Sequence, residues 1–407
     1  MDVAALVLAA AAAAQAPAPT DCHGALCNSG ALRPFIDQLK ASPRSGELVH
    51  IVQIGDSHTA GDMITNGLRI RLRQRFGNGG RGALPPGRPY PGYLTWGVTA
   101  SQSRGWALNG IFGSAWSAAG RPVGLTGYTQ TSRTPGAALG LSADSLDGNF
   151  DRMTVCALKE PGAGTLMLRI GDRSERWELD SIRREAACRS LDSARSVLAA
   201  TLATEDGRIV SVTSFGVFRK GGGVALSNFG VSGSQLIHQS RQHDLVVRSE
   251  MEAYGPALIV LAFGTNEGFS PRFASVPYEA QLRSQIARIR RLAGRDVPIL
   301  LLGAPDAGTR NPALASNGGT PGAACGSGAW TPSALDRVRE VQRRVARTAR
   351  VGFWDWQSAM GGRCSAIAWT ARGLMRGDLV HFTREGGDRV GEMIYTDLIA
   401  ALGPRPL

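Results

Sequence analysis

The sequence predicts an α/β fold, a mainly parallel sheet with helices on both faces, interrupted by an inserted all-β segment that reads as a sandwich. Three observations predict it. The apolar, β-branched run Leu48 to Ile54 stops at Gly55 and gives way to helical spacing. The same strand-then-helix alternation resumes at Val224 and continues to the end of the chain, the pattern of parallel strands with crossover helices. Between them, from Leu84 to Gly222, short alternating stretches are broken by glycine, proline and serine, with little sign of long amphipathic helices.

Taken in order, Ala4 to Ala14 is an apolar run followed by Ala14-Gln15-Ala16 and a Pro/Ala stretch, so residues 1–20 read as a signal peptide and linker, although Asp2 stands where Lys or Arg is usual. The expected destination is the periplasm or the exterior. No other stretch approaches eighteen uninterrupted apolar residues, so no further membrane insertion is expected. Residues 21–83 form the first part of the α/β domain: the strand at 48–54, then a helix with Leu68, Leu72 and Phe76 on one face, ended by the glycine-rich loop Gly77 to Gly82. That loop follows a helix and opens none, so it is not read as a phosphate cradle.

Residues 84–222 make the insertion. Two hairpins are expected there: Met153 to Leu158 with Thr165 to Ile170, and Val197 to Ala203 with Arg208 to Thr213. Residues 223–407 then complete the α/β domain. Expected strands are Val224 to Phe229, Ala257 to Phe263, Pro298 to Leu302 and Val351 to Trp354. Expected helices lie near Gln235 to Ala253 and Tyr278 to Ala293, after a Thr331 cap with Pro332 at the first helical position, and after Thr383.

Composition narrows the function classes. At 407 residues and 43% hydrophobic, the chain is long enough to bury real cores. The net charge of +12 rests on 42 arginines against 3 lysines, scattered rather than striped, so no nucleic-acid partner is expected; an anionic envelope polymer remains compatible. Six cysteines, paired in sequence order, suggest disulfides Cys22–Cys27, Cys156–Cys188 and Cys325–Cys364. No Cys-x-x-Cys or His-Glu-x-x-His spacing is present, so neither metal nor other cofactor is expected.

Four elements carry chemistry. Ser57, in Ile54-Gly55-Asp56-Ser57-His58-Thr59-Ala60, sits where a buried strand ends and a helix begins, a position at which free backbone N–H groups meet developing negative charge. Asp378-Leu379-Val380-His381 offers a carboxylate spaced to orient an imidazole, which is how a hydroxyl becomes nucleophilic near neutral pH. Asn228-Phe229-Gly230-Val231-Ser232-Gly233-Ser234 permits close backbone approach after a strand, and Gly264-Thr265-Asn266-Glu267 ends another strand with an amide; both suit an oxyanion. Either of these last two also reads as an ordinary turn.

In that order the four elements resemble the blocks of the SGNH (GDSL-like) hydrolases: Gly55-Asp56-Ser57 the first, Gly233 the second, Gly264-Thr265-Asn266 the third and Asp378 to His381 the last. The resemblance implies a three-layer α/β/α, flavodoxin-like domain and a serine ester hydrolase. It makes Ser57 the nucleophile, His381 the general base and Asp378 its orienting partner, with Ser57, Gly233 and Asn266 as the oxyanion hole. Glu267 stands where the commoner pattern has Asp. More narrowly, Gly55 to Asp62, the phrase Phe76 to Gly82 and the position of the β insert resemble the peptidoglycan O-acetylesterases of Gram-negative bacteria. There the insert is similar to a carbohydrate-binding module and the substrate is the O-acetyl ester of N-acetylmuramic acid. The implied function is removal of acetyl groups from an acetylated envelope glycan through an acetyl-Ser57 intermediate. An O-acetyltransferase using the same triad with a sugar acceptor, and an inactive glycan-binding protein, stand as alternatives. His58 matches the subgroup's Gly-Asp-Ser-His form, and its adjacency to the nucleophile points to a structural role.

Overall fold

A computed structural model describes residues 21–316 and 320–403. The segment read as a signal peptide and linker lies outside the described residues. The main sheet has seven strands, in spatial order 22–23, 26–27, 352–354, 299–302, 258–262, 48–55 and 223–230. The last five run parallel. The first two form a small antiparallel hairpin at the edge, closed by the Cys22–Cys27 disulfide. Numbered along the chain, the five parallel strands lie in the order 2-1-3-4-5, the flavodoxin-like arrangement, whose switch point falls between the strands 48–55 and 258–262. Ligands bind such sheets beyond the carboxyl ends of the strands at that crevice. Ser57 follows one of the two strands and Asn266 the other.

Alternation in the strand Leu48–Gly55 explains the three layers. Val52 and Ile54 enter the core shared with Val247, Met251, Ile286, Ile289, Val338 and Val345, from the helices Asp244–Tyr254, Ser275–Ala293 and Ser333–Thr348. Val49 and Ile51 face the other way, into a core with Leu39, Leu68, Leu72, Val390 and Ile394 from the helices Arg33–Ser45, Met63–Phe76 and Arg384–Ala401. The expected α/β class is therefore present in full, with a core on each face of the sheet.

The insertion folds as two antiparallel sheets. One is ordered 173–178, 165–170, 199–204, 138–143, 98–102; the other 185–197, 150–159, 210–218, 128–132, 106–110, with Gly82–Leu84 also pairing to 210–218. Their facing side chains, among them Leu141, Phe150, Val155, Leu166, Leu168, Leu202 and Phe215, share one core. The Cys156–Cys188 disulfide joins neighbours across the second sheet, and Cys325–Cys364 pins the 324–330 region to the segment before the helix Ser365–Ala371. All three expected pairs are thus formed.

Both expected hairpins are wrong. Met153 to Leu158 lies in the second sheet and Thr165 to Ile170 in the first; the strands Ala199–Thr204 and Val210–Phe218 are split in the same way. The Gly-rich turns arch from one sheet to the other instead of closing a ladder. A period of two with a turn between is common to hairpin and arch, since in each the apolar face points into the sandwich. Two helix boundaries also differ. The helix expected near Gln235 to Ala253 is a 3-10 turn, Leu236–Arg241, followed by Asp244–Tyr254. The break comes where the His243 ring caps the second helix by accepting from the Leu245 N–H. Pro332, expected inside its helix, is instead the cap residue of Ser333–Thr348.

Candidate active site

The nucleophile turn is built by close approach. At Gly55 the strand passes so near its neighbours that a Cβ would lie 2.2 Å from the Thr59 hydroxyl and 2.7 Å from the Ala262 carbonyl, so no larger residue fits. Asp56 then caps the short helix Ser57–Ala60, its Oδ1 accepting from the His58 N–H at 3.0 Å. Ser57, the first residue of that helix, keeps partial exposure while its neighbours on both sides are buried.

The loop 378–381 supplies the other half. Asp378 Oδ1 accepts from the backbone N–H of Val380 and of His381, each at 2.9 Å, and Oδ2 lies 2.8 Å from His381 Nδ1. This wrapping requires Leu379 to adopt φ +61°, a left-handed conformation costing about 1 kcal/mol or more in a residue with a Cβ. Burial of the Leu379 side chain, and the bond from Gly308 N–H to its carbonyl at 2.9 Å, hold it there. Partial burial pushes the Asp378 carboxyl up, but the His381 and Val380 N–H groups and the His381 ring outweigh it and hold the carboxyl below its ordinary value.

Ser57 Oγ lies 3.0 Å from His381 Nε2, across 324 positions of sequence. A carboxylate only accepts, so the ring proton sits on Nδ1 facing Asp378; Nε2 then presents its lone pair to the Ser57 hydroxyl, which donates. That is the tautomer a general base needs.

Gly233 sits in the turn after the strand Gly223–Gly230 at φ +77°, the left-handed region glycine enters freely. The Asn266 amide donates to the Ser234 carbonyl at 2.9 Å and to Asp56 Oδ2 at 3.4 Å, while the Gln235 amide donates to the Asn266 carbonyl at 3.0 Å. The adjacent Glu267 is buried, and its Oε1 accepts from the Leu236 N–H at 2.7 Å. Burial, with help from the Asp56 charge, pushes its carboxyl up to about 7 against the lowering effect of that N–H. The segments 234–236 and 266–267 are thereby fastened to each other, and Asn266 reaches Asp56, the residue before Ser57.

A cavity of about 300 Å³ opens on the Ser57–His381 pair, lined also by Met63, Ile64, Tyr90, Leu94, Trp96 and Arg376. Tyr90, Leu94 and Trp96 belong to the insertion, so the inserted segment forms part of the pocket wall. Asp62 holds this wall from inside: its buried carboxylate accepts from Arg69, Arg81, Thr65 and the Trp96 N–H. Burial pushes the Asp62 carboxyl up, and the two guanidinium charges prevail and hold it down. The sequence reading missed this wall. Its one signal was the aromatic density of Tyr90-Pro91-Gly92-Tyr93-Leu94-Thr95-Trp96 inside a proline- and glycine-rich loop. His50, His238 and His243 take no part in the Ser57–His381 contact. His50 is buried between the Tyr254 carbonyl and the Ser227 hydroxyl, and desolvation lowers its pKa to about 4. Among the described residues no group of three or more His, Cys, Asp or Glu side chains is placed to hold a metal ion.

Residues 192–389 match the GDSL-like Lipase/Acylhydrolase family. Among solved structures, one described as a peptidoglycan O-acetylesterase in action is similar over 93% of this chain and 99% of its own, with a TM-score of 0.76 and 27% identity. A family two carbohydrate esterase from Clostridium thermocellum in complex with cellohexaose is matched over 74% of this chain and 99% of its own, at TM-score 0.29 and 14% identity. A β-1,3-glucan binding module from Bacillus halodurans is matched over 30% of this chain and 86% of its own, at TM-score 0.19 and 10% identity. No curated protein matches the sequence.

Proposed function

From the premise that the chain is an SGNH (GDSL-like) serine ester hydrolase, we propose that it removes O-acetyl groups from peptidoglycan, at the N-acetylmuramic acid residue, and does so in the periplasm. The observation that carries the reading is the hydrogen-bonded chain Ser57 Oγ, His381 Nε2, His381 Nδ1, Asp378 Oδ2 opening on a cavity of a size for a small acyl group and part of a sugar. The likeness in fold and sequence to a peptidoglycan O-acetylesterase supports the substrate, and three disulfides support an oxidising compartment.

In this reading His381 Nε2 takes the Ser57 proton as Oγ attacks the acetyl carbonyl carbon. The oxyanion is met by the N–H groups of Ser57 and Gly233 and by the Asn266 amide, one N–H of which leaves its long 3.4 Å contact with Asp56 to reach it while the other stays on the Ser234 carbonyl. Asp378 stabilises the imidazolium that forms, and His381 gives the proton to the departing sugar oxygen, leaving acetyl-Ser57. Water, deprotonated by the same ring, then releases acetate and restores the serine. Arg376, exposed on the rim of the pocket, adds a positive charge suited to the carboxylates of the wall polymer.

Acetate release from O-acetylated peptidoglycan, measured beside 4-nitrophenyl acetate hydrolysis, tests the proposal. Purified protein is expected to act on both, and Ser57→Ala on neither. Turnover of the small ester without acetate release from the polymer would overturn the substrate, and normal turnover by Ser57→Ala would overturn the mechanism.

A further inference from the structure

His58 is buried, adjoins the nucleophile, and has no part in the chemistry just described. Its Nε2 lies 2.9 Å from the backbone carbonyl of Val380, 322 positions away. Its Nδ1 lies 3.3 Å from Asp56 Oδ1, with the two side chains only 3% and 2% exposed. The ring is boxed by Trp356 and Phe382, each with its centroid 5.5 Å away, and by His381 at 5.7 Å.

Neither ring partner has a proton to offer. A backbone carbonyl only accepts, and Asp56 already accepts from the His58 N–H and from the Asn266 amide. A neutral imidazole has one N–H, which the 2.9 Å contact with the Val380 carbonyl requires at Nε2, and it then sets a bare Nδ1 lone pair against the buried Asp56 carboxylate; an imidazolium puts a positive N–H there instead, in an ion-pair contact at 3.3 Å that is not an aligned hydrogen bond. The peptide that joins Val380 to His381 is consequently held at both ends: its C=O by His58, its N–H by Asp378.

We propose that His58 is a positioning residue for the triad: an imidazolium clamped between Asp56 and the Val380 carbonyl, tying the nucleophile turn to the loop that presents His381. This rests on the esterase reading above and deepens it. The charged and titratable groups that face the ring are Asp56, Asp378 and His381, with Glu267 acting at one remove through Asp56. Burial pushes the pKa of His58 down; the bond and charge of Asp56, the Val380 carbonyl and the Asp378 charge outweigh it and raise the pKa above the ordinary histidine value. The imidazolium that forms at His381 during turnover repels it, and Asp56 and Asp378 lie on the two sides of the pair to offset that repulsion. Through Asp56 the same clamp reaches the Asn266 amide. One buried cation thus connects three of the four segments that make the site.

The test uses the full chain and three measurements. His58→Phe keeps a ring against Trp356 and Phe382 and removes both donors. Its kcat on 4-nitrophenyl acetate is expected to fall about 10- to 100-fold with KM within about twofold, since an error of about 1 Å in a reacting group costs on that order. His58→Gln, whose amide can still donate to the Val380 carbonyl, is expected to recover several-fold of that loss, which a mere packing role does not predict. In the wild-type protein, nitrogen-resolved NMR at pH 7 is expected to show both His58 ring nitrogens protonated, the signal being assigned by its absence in His58→Gln. A folded His58→Phe with wild-type kcat, or a His58 ring carrying a single proton at pH 7, overturns the proposal. Because the NMR reading needs no turnover, a wild-type protein inactive on every ester would sink the esterase reading and leave the His58 charge separately decided.

Discussion

Replacing Asp378 with alanine separates orientation of the base from chemistry at the nucleophile. The carboxylate does two things in the structure: it fixes His381 by bonds to Nδ1 and to the backbone N–H, and it faces the positive charge that the ring acquires in the transition state. At about 4 Å two unit charges attract by roughly 1 kcal/mol in water and about 4 kcal/mol at the effective dielectric of a protein surface. With the Asp378 side chain 47% exposed and the His381 side chain 41% exposed, screening places the charge contribution inside that range and away from the buried extreme. At 1.4 kcal/mol per decade, the expected fall in kcat lies between about 5-fold and about 10³-fold, smaller than the loss for Ser57→Ala. The assay is initial-rate hydrolysis of 4-nitrophenyl acetate by Asp378→Ala, Ser57→Ala and wild type, with thermal melting to confirm that each folds. A kcat for Asp378→Ala within twofold of wild type would refute the argument. So would a loss equal to that of Ser57→Ala, which requires a carboxylate far more buried than this one.

Three further outcomes are expected. Asp62→Ala leaves the Arg69 and Arg81 guanidinium groups buried without their counter-charge and should cost about 3–5 kcal/mol in urea unfolding; a loss below 1 kcal/mol would mean that water reaches them. Glu267, protonated up to about pH 7 when folded and only up to about pH 4.3 when unfolded, binds more protons folded than unfolded between those values. Its contribution to stability is therefore greatest below the unfolded pKa and is lost as pH rises to about 7, by roughly 4 kcal/mol at most. Glu267→Gln, which keeps the acceptor for Leu236, should remove that part of the slope, and an unchanged difference between unfolding at pH 5 and pH 7.5 would contradict it. Deleting residues 84–222 removes Tyr90, Leu94 and Trp96 from the pocket wall, so small-ester hydrolysis should fall along with polymer binding. This departs from the expectation for a detachable binding module; a deletion variant that folds and keeps wild-type kcat/KM on 4-nitrophenyl acetate would restore that view.

What the sequence determined by itself is what local chemistry encodes. The β-branched run ending at Gly55, the Thr383 cap whose hydroxyl accepts from the Gly386 N–H at 3.1 Å, and the even set of cysteines were legible because strand propensity, capping and pairing act over short spans. The candidate residues Ser57, Asp378 and His381 were legible for a similar reason: each sits in a short motif at the end of a predicted element. Contacts set by where distant segments land were decided only by the tertiary structure. The arches that split both expected hairpins between two sheets leave the alternating pattern unchanged, so no local signal separated them from ladders. The Tyr90–Trp96 wall and the Asp62–Arg69–Arg81 network behind it join the insertion to the helix Met63–Phe76 and to the adjoining turn. The His58 contact spans 322 positions, and its partner is a backbone carbonyl, a group that every residue carries and that no sequence pattern can mark. Burial, which turns such a contact from an exchange with water into a constraint, exists only once the chain has closed around it.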